Sequence, residues 1–448
     1  MKRKIVSLIL LAFLILSFVA CGAAPGGNGT ESATNAPAGS TAGTVREPAE
    51  IVFWDMEWGP ADSYIPTAEK LTGEFTADNP NITVKYQSTP WDSYYQTFLT
   101  AVSSGSAPDV STGAFPQSIQ YAKMGEILYL DSIIDQWKSD GSGILDDFMP
   151  GSIDMFKYDG KQAGIPWERD PRMITYRKDI FEKAGIAQMP ATFAEFIEDC
   201  KVIKEKTGVI PLVFPTLDKG GMHIFLNFMF GNNVGITDDK GTPDMQDPKV
   251  MEVLKFFQTM YDAKLLPAGI ANYKQADAEN LYKEGKVAMI FTGSPTFLTS
   301  VPDVAENSAI LPPIGGPDGQ PHNLTWVASI MAYQQTKQPD ATKAFVKWWL
   351  ENNLPLWTEG KAGPYPIRQS YMDDSYFTGT WYSKEFAEKI APACILPHWP
   401  MQSLYYQFAQ IEGEDYLSEP VKQILMGDKD LAAIATKTND SIKKALTQ

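Results

Sequence analysis

Cysteine and histidine are scarce, with three of each in 448 residues. Neither falls in a metal-ligand spacing, and HExxH and CxxC are both missing, so zinc and dithiol redox chemistry lack their usual carriers. A Walker loop and a GxSxG elbow are also missing, and no cofactor is expected. Basic residues are in deficit, with 38 Lys+Arg against 54 Asp+Glu and a formal net charge of −16 at pH 7. That balance argues against nucleic acid, whose phosphates need a basic face, and against an anionic membrane surface. The only long apolar run is Ile5 to Ala20, shorter than the ~20 residues of a spanning helix.

What is present is the composition of a globular protein, 44% hydrophobic and 21% charged. The length implies two or three domain-sized units, because single cores stop growing at about 250 to 300 residues. At the amino terminus, Lys2, Arg3 and Lys4 precede the apolar run, which is the anatomy of a secretory signal over residues 1–20. The following Ser17-Phe18-Val19-Ala20-Cys21-Gly22 resembles a bacterial lipobox, with Phe18 in place of the usual leucine. It implies lipidation of Cys21, the alternative being an ordinary signal peptide beside an incidental cysteine. Membrane attachment is then expected through this lipid anchor alone, and two or more acyl chains would make it stable. The rest of the 21–49 segment is almost entirely Gly, Ala, Ser, Thr, Asn and Pro, without apolar periodicity. It reads as a flexible tether spanning roughly 30 Å.

From residue 50 onward, short β-rich runs alternate with amphipathic helical patterns, the mark of an α/β fold with largely parallel sheets. Strands are expected at 51–54, 82–86, 108–110, 287–291 and 326–332, and a hairpin turn at Tyr158-Asp159-Gly160-Lys161. Helices are expected over 68–75 and 92–103, after Pro248 and Pro339, and over 430–445. Thr192-Phe193-Ala194-Glu195 has the form of a capping box, opening a helix that ends near Gly208. The order, strand-rich at first, helix-rich in the middle and returning to a strand near Trp326, suggests two lobes that share the chain discontinuously.

Cys200 and Cys394 are either bridged or two buried thiols, and an apolar helical pattern around Cys200 favours the latter. Asp238, Asp239, Gly241 and Asp244 loosely suggest a calcium loop but lack its closing glutamate, so a hairpin turn is the better reading. Eleven Trp, 19 Tyr and 23 Phe make up 12% of the chain, many beside turn residues. Such rings either fill the core or line a cleft. The second reading gains where ring and carboxylate share a loop, at Asp55 to Trp58 and Trp167 to Arg172. A pyranose packs its C–H faces on an indole while its hydroxyls bond to carboxylates, amides and arginine. The same carboxylates, Glu57, Glu168 and Asp170, could instead form a glycosidase acid pair.

At these residues the chain resembles the extracellular solute-binding proteins of ABC importers, in the sugar-binding family that includes maltose-binding protein. The matching segments, in order, are AVSSGSAPDV (101–110), GIPW (164–167), TYRKDIFEKAG (175–185) followed by PATFAEF (190–196), YKEGKVAMIFTG (282–293), the Leu311-Pro312-Pro313 run before Trp326, and AFVKWWL (344–350). The resemblance implies a periplasmic-binding-protein-like fold, two α/β lobes over 50–165 plus 326–363 and over 166–322 plus 366–448, with ligand in the cleft at the hinge. It implies a monomeric, extracytoplasmic receptor that captures a sugar or oligosaccharide, delivers it to the permease subunits of an ABC importer and performs no catalysis. Carried onto this chain, the ligand-lining positions are Asp55, Glu57 and Trp58 after the first strand, then Phe115 and Gln117, then Trp167, Asp170 and Arg172. Ser294 follows, with Phe297 substituting for an aromatic residue that is Pro295 here, then Trp326 and a helix carrying Tyr405 and Tyr406. Trp91 and Tyr365 complete the set. Two alternatives stand beside this reading: a polyamine or other cation held by the same fold, and a secreted carbohydrate-active enzyme.

Overall fold

A computed structural model describes residues 47–217, 219–317, 321–401 and 405–447. The signal segment, Cys21 and the tether as far as residue 46 lie outside the described residues. The described strands are, in chain order, β1 (Ala49–Met56), β2 (Ile82–Thr89), β3 (Val110–Gly113), β4 (Lys157–Tyr158), β5 (Lys161–Gln162), β6 (Ile165–Pro171), β7 (Met173–Arg177), β8 (Ile210–Val213), β9 (Val287–Thr292), β10 (Ser308–Ile310), β11 (Asn323–Ala332), β12 (Tyr365–Pro366) and β13 (Cys394–Ile395). They form a seven-stranded sheet in the order β12-β6-β11-β3-β1-β2 with β13 beside β11, a four-stranded sheet in the order β10-β7-β9-β8, and the hairpin β4-β5.

Each sheet is the centre of one α/β half, and helices pack against it. All ten residues of β11 and all six of β9 are buried, as continuous apolar runs require. β1 lies parallel to both β2 and β3, whereas β11 runs antiparallel to β3 and β6. The chain therefore leaves the first sheet at Pro171 and enters the second at Met173, with Arg172 at the crossing. It returns between β10 and β11.

Local sequence accounts for the principal elements. Thr192 Oγ1 accepts from Glu195 N at 3.2 Å and Glu195 Oε2 accepts from Thr192 N at 3.1 Å, so the expected capping box closes. The helix Phe193–Thr207 then ends on Gly208, whose φ of 71° is easily reached only without a Cβ. Pro248 and Pro339 both open helices, as expected. The first helix is longer than its apolar stripe, running from Ala61 to Asp78 with Pro66 in its early turns. The third strand begins at Val110 rather than at Pro108; at Asp109 the carboxylate accepts from Val52 N at 2.8 Å while its own N–H donates to the Val52 carbonyl at 3.0 Å. Tyr405 and Tyr406 lie in the turn before the helix Phe408–Gly413, not on a helix.

Cys200 is buried in its helix and Cys394 is half-buried in β13; both are free thiols. The 238–242 segment is a tight turn in which Asp238 Oδ1 accepts from Lys240 N and Thr242 N. No group of three metal-ligating side chains occurs among the described residues. No described helix is long and apolar enough to cross a membrane.

Thr192→Ala removes the side-chain half of the capping box and is expected to cost about 1 kcal/mol. Urea unfolding followed by circular dichroism would show this as a lower midpoint with an unchanged slope.

Candidate functional site

The loop after β1 is fixed from below by a fully buried carboxylate. Asp55 accepts from Thr112 Oγ1 at 2.6 Å and from Tyr64 OH at 3.0 Å, with Tyr86 OH at 3.5 Å. Burial pushes its carboxyl up to about 7, opposed by those hydrogen bonds. Thr112 Oγ1 in turn accepts from Met56 N at 2.9 Å and from Trp58 Nε1 at 3.0 Å. Asp55 therefore anchors Trp58 through one hydroxyl, and its own oxygens face the protein.

Trp58 meets Trp91 at 4.7 Å and Trp167 at 5.2 Å between ring centroids, both edge to face, and Trp167 meets Trp357 at 5.5 Å. Trp91 Nε1 donates to the Glu57 carbonyl at 2.9 Å, while Glu57 Oε1 accepts from Ser88 Oγ at 3.2 Å. Trp167 occupies an irregularity in β6. Glu168 pairs with Ala328 and Pro166 with Ser329, leaving Trp167 without a residue opposite. Such a bulge re-aims side chains, here next to the carboxylates.

Asp170 sits opposite Trp326 across the β6–β11 ladder and bonds Arg172 at 2.5 Å. A Cβ on Gly293 would lie 3.0 Å from Asp170 Oδ1 and 3.1 Å from Arg172 Nη1, so this glycine lets the turn after β9 approach the ion pair. Ser294 follows it beside Tyr365.

A second group of rings comes from both halves. Phe115, in the turn after β3, and Trp326, on β11, lie 6.1 Å apart. Against them stand His223 (5.4 Å from Trp326), His398 (6.0 Å from Phe115, stacked), Phe408 (6.0 Å from Trp326) and, beyond it, Tyr405. Burial drives His223 well below the ordinary imidazole range, helped by Arg172 and Lys219, and lowers His398 to about 4. Both rings are neutral at pH 7, each able to donate at one nitrogen and accept at the other.

Burial also raises the Glu168 carboxyl far above its usual range, reinforced by Asp170 and opposed by the Ala328 amide and Arg172. Burial raises Asp170 as well, against Arg172. The crevice is thus lined by indoles, neutral imidazoles, one internal ion pair and a carboxyl that favours its neutral form. Trp58, Trp167 and Trp326 keep only 8%, 2% and 6% of their exposure, and His223, His398 and Phe408 of the other half pack against Trp326 and Phe115. Several buried polar atoms there have no hydrogen-bond partner among the described residues: Trp167 Nε1, Trp326 Nε1, Arg172 Nε, Tyr405 OH, His398 Nδ1 and Glu168 Oε2.

Of the residues expected from sequence, the structure brings Trp58, Trp91, Trp167, Asp170, Arg172, Phe115 and Trp326 to this crevice. Glu57 lies at its rim. Asp55 lies beneath it, and Gln117 is consumed locally, accepting from Ala114 N at 2.7 Å and donating to Tyr121 OH at 3.1 Å. Phe297 lies apart, half-buried against Tyr282 with Lys283 over its ring. Tyr365 is buried in a stack on Phe386 at 4.3 Å. Tyr406 receives Lys123 over its ring at 5.3 Å, a contact between the halves. Sequence reasoning missed His223, His398 and Trp357 as members of the set. They come from helices and connections whose only signal is a buried aromatic or imidazole.

Residues 61–353 match the family model described as bacterial extracellular solute-binding protein. A diacetylchitobiose binding protein of Streptomyces coelicolor is 29% identical over 269 residues, covering 59% of this chain and 58% of that protein. A putative binding protein of Brucella abortus is 28% identical over 359 residues, covering 76% of this chain and 85% of that protein. Among solved structures, a sugar transporter from Arthrobacter chlorophenolicus with bound laminaribiose superposes with a TM-score of 0.82 at 26% identity, covering 88% of this chain and 99% of that one. A maltose-bound protein of T. maritima shares the fold, with a TM-score of 0.75 at 18% identity over 88% of this chain and 99% of its own. Rings from two α/β halves that meet at Phe115 and Trp326 and a family match across residues 61–353 agree: the chain belongs to the bacterial extracellular solute-binding proteins.

Proposed function

We propose that this chain is a receptor that closes on a neutral sugar or short oligosaccharide and presents it to the permease of an ABC importer. In this reading it works as a monomer outside the cytoplasm, tethered through a lipid on Cys21, and returns its ligand chemically unchanged. One observation carries the reading: buried hydrogen-bond donors and acceptors without partners among the described residues lie beside indole and phenyl faces, at Trp167, Trp326, Arg172 and Tyr405. An unpaired buried polar group costs about 1–3 kcal/mol. A polyol with apolar C–H faces supplies partners for both kinds of surface. Ligands of the similar proteins point the same way, diacetylchitobiose in one and laminaribiose in another.

Electrostatics favours a neutral guest over a polyamine. Asp170 is already paired with Arg172, and Glu168 is held toward its uncharged form, so little free negative charge awaits a cation. A glycosidase reading fits less well, because its two carboxyl groups stand on opposite sides of the scissile bond. Here Glu168 and Asp170 are two residues apart on one strand, and the second is occupied by arginine.

The ligand engages both halves only when they are closed, so its differential affinity shifts the open-to-closed equilibrium. Thermal shift against a panel of neutral oligosaccharides, amino sugars and polyamines tests the class. A neutral sugar is expected to raise the melting temperature, since ligand bound only to the native state stabilises it. A rise with polyamines alone would transfer the site to cations.

Asp170→Asn is expected to weaken the responding sugar by tenfold or more in calorimetry, through loss of the arginine pair, whereas Phe297→Ala changes affinity by less than about twofold because its ring lies elsewhere. Equal losses from both variants would remove Asp170 and Arg172 from the site.

Chromatography after overnight incubation is expected to return the sugar intact. Appearance of shorter products would make the protein an enzyme.

A further inference from the structure

At the edge of the ring-lined crevice, where Tyr94 meets Trp91 edge to face at 5.4 Å, two three-residue segments from opposite halves meet side by side. Tyr94, Tyr95 and Gln96 begin the helix Tyr94–Ser103, which leads into β3 of the seven-stranded sheet. Glu412, Gly413 and Glu414 end the helix Phe408–Gly413, which belongs with the carboxy-terminal helices packed on the other half. Tyr94 OH donates to Glu412 Oε1 at 2.9 Å, and Gln96 Nε2 donates to Glu414 Oε1 at 2.9 Å. Between them the Tyr95 ring lies so close to Gly413 that a Cβ there would overlap ring carbons Cγ, Cδ1 and Cδ2. From its own side, Lys219 Nζ holds the Glu412 and Gly413 carbonyls at 2.8 and 2.9 Å. Three consecutive residues thus face three consecutive residues, each pair fitted.

We propose that Tyr94–Gln96 and Glu412–Glu414 form a clasp that fastens the two halves once they close, so that residues outside the ligand-lining set govern how tightly ligand is retained. This rests on the receptor reading only in its last clause. Two of the three pairs are withdrawn from solvent, since Tyr94, Tyr95 and Glu412 are buried, while Gln96 and Glu414 make an exposed bond at the rim. A contact of this kind does not exist when the halves are apart, so it contributes to closure alone and adds to whatever the ligand supplies.

The clasp also senses protons. Groups facing Glu412 are Tyr94, Lys219 and Asp415, with Glu414 and Tyr95 adjacent. Burial in the clasp raises the Glu412 carboxyl to about 7, opposed by the Tyr94 hydrogen bond and Lys219 and aided by Asp415. Its Oε2 is buried with no partner among the described residues, which suits a protonated oxygen. Closing therefore takes up a proton. The clasp is at full strength below the ordinary carboxylate range and weakens as pH rises through about 7.

The test is a short bismaleimide cross-linker on Gln96→Cys/Glu414→Cys, with single-cysteine controls, in the full chain without sugar and with laminaribiose. The parent pair is expected to cross-link, with a yield that falls between pH 6 and pH 8. Tyr94→Phe and Gly413→Val are each expected to reduce the yield several-fold at pH 6, circular dichroism confirming that both fold. Glu412→Gln keeps the acceptor without the charge and is expected to retain the pH 6 yield while losing the pH dependence. With a sugar that binds, Tyr94→Phe is expected to weaken affinity about five- to tenfold, the equivalent of one buried hydrogen bond. Equal yields for parent, Tyr94→Phe and Gly413→Val, or no cross-link in any condition, would overturn the clasp. If no sugar alters yield or melting temperature, the receptor reading fails, while the ligand-free yields still decide the clasp.

Discussion

A hydrogen-bonding group taken out of water must find a partner or leave its desolvation uncompensated, and the crevice between the two halves is built around that constraint. Indole N–H groups at Trp167 and Trp326, the Arg172 Nε and the Tyr405 hydroxyl are buried without described partners, beside rings that exclude water. Other buried polar groups are mostly but not all satisfied, Trp349 Nε1 in the core beside Phe53 and Phe345 also having no partner among the described residues. The Trp58 indole donates to Thr112, Trp91 to the Glu57 carbonyl, and Trp137 to Glu351 at 2.7 Å. Within the site, Trp58 and Trp91 are thus fixed by the protein, whereas the indole N–H groups of Trp167 and Trp326 are free for a guest.

The fold positions this edge through two central strands. β6 and β11 lie next to one another in the first sheet, and Asp170 and Trp326 face each other across that ladder just before the chain crosses to the second sheet at Arg172. Charge is neutralised where it gathers: Arg172 answers Asp170, and burial disfavours the ionised forms of Glu168, His223 and His398. What remains is directional hydrogen bonding rather than net field, which suits a guest with many hydroxyls and no charge. Closure is then governed by two contributions, the ligand inside and the clasp at Tyr94 and Glu412 outside.

Much of the architecture was legible because local and global signals agreed. The capping box at Thr192, the proline-opened helices at Pro248 and Pro339 and the largely apolar strands β9 and β11 need no tertiary context. The meeting of rings with an ion pair was legible where ring and carboxylate lie in one loop, as at Trp58 and from Trp167 to Arg172. The errors have physical causes. Asp55 and Gln117 carry the right chemistry in the right loops, yet both turn inward, because Thr112, Tyr64, Tyr121 and the Ala114 amide take their hydrogen bonds. Phe297 was placed by analogy with a neighbouring position and instead packs on Tyr282. His223 and His398 approach Trp326 and Phe115 from more than 70 residues away in sequence, and nothing local marks such a meeting.

The most direct measurement is a crystal structure of the protein with the oligosaccharide that most raises its melting temperature. The account predicts a sugar enclosed between the halves, its hydroxyls within hydrogen-bonding distance of Trp167 Nε1, Trp326 Nε1, Arg172 Nε and Tyr405 OH, and a pyranose face on at least one of the rings. A ligand bound elsewhere, with those atoms still unpaired or satisfied by other protein groups, would contradict it.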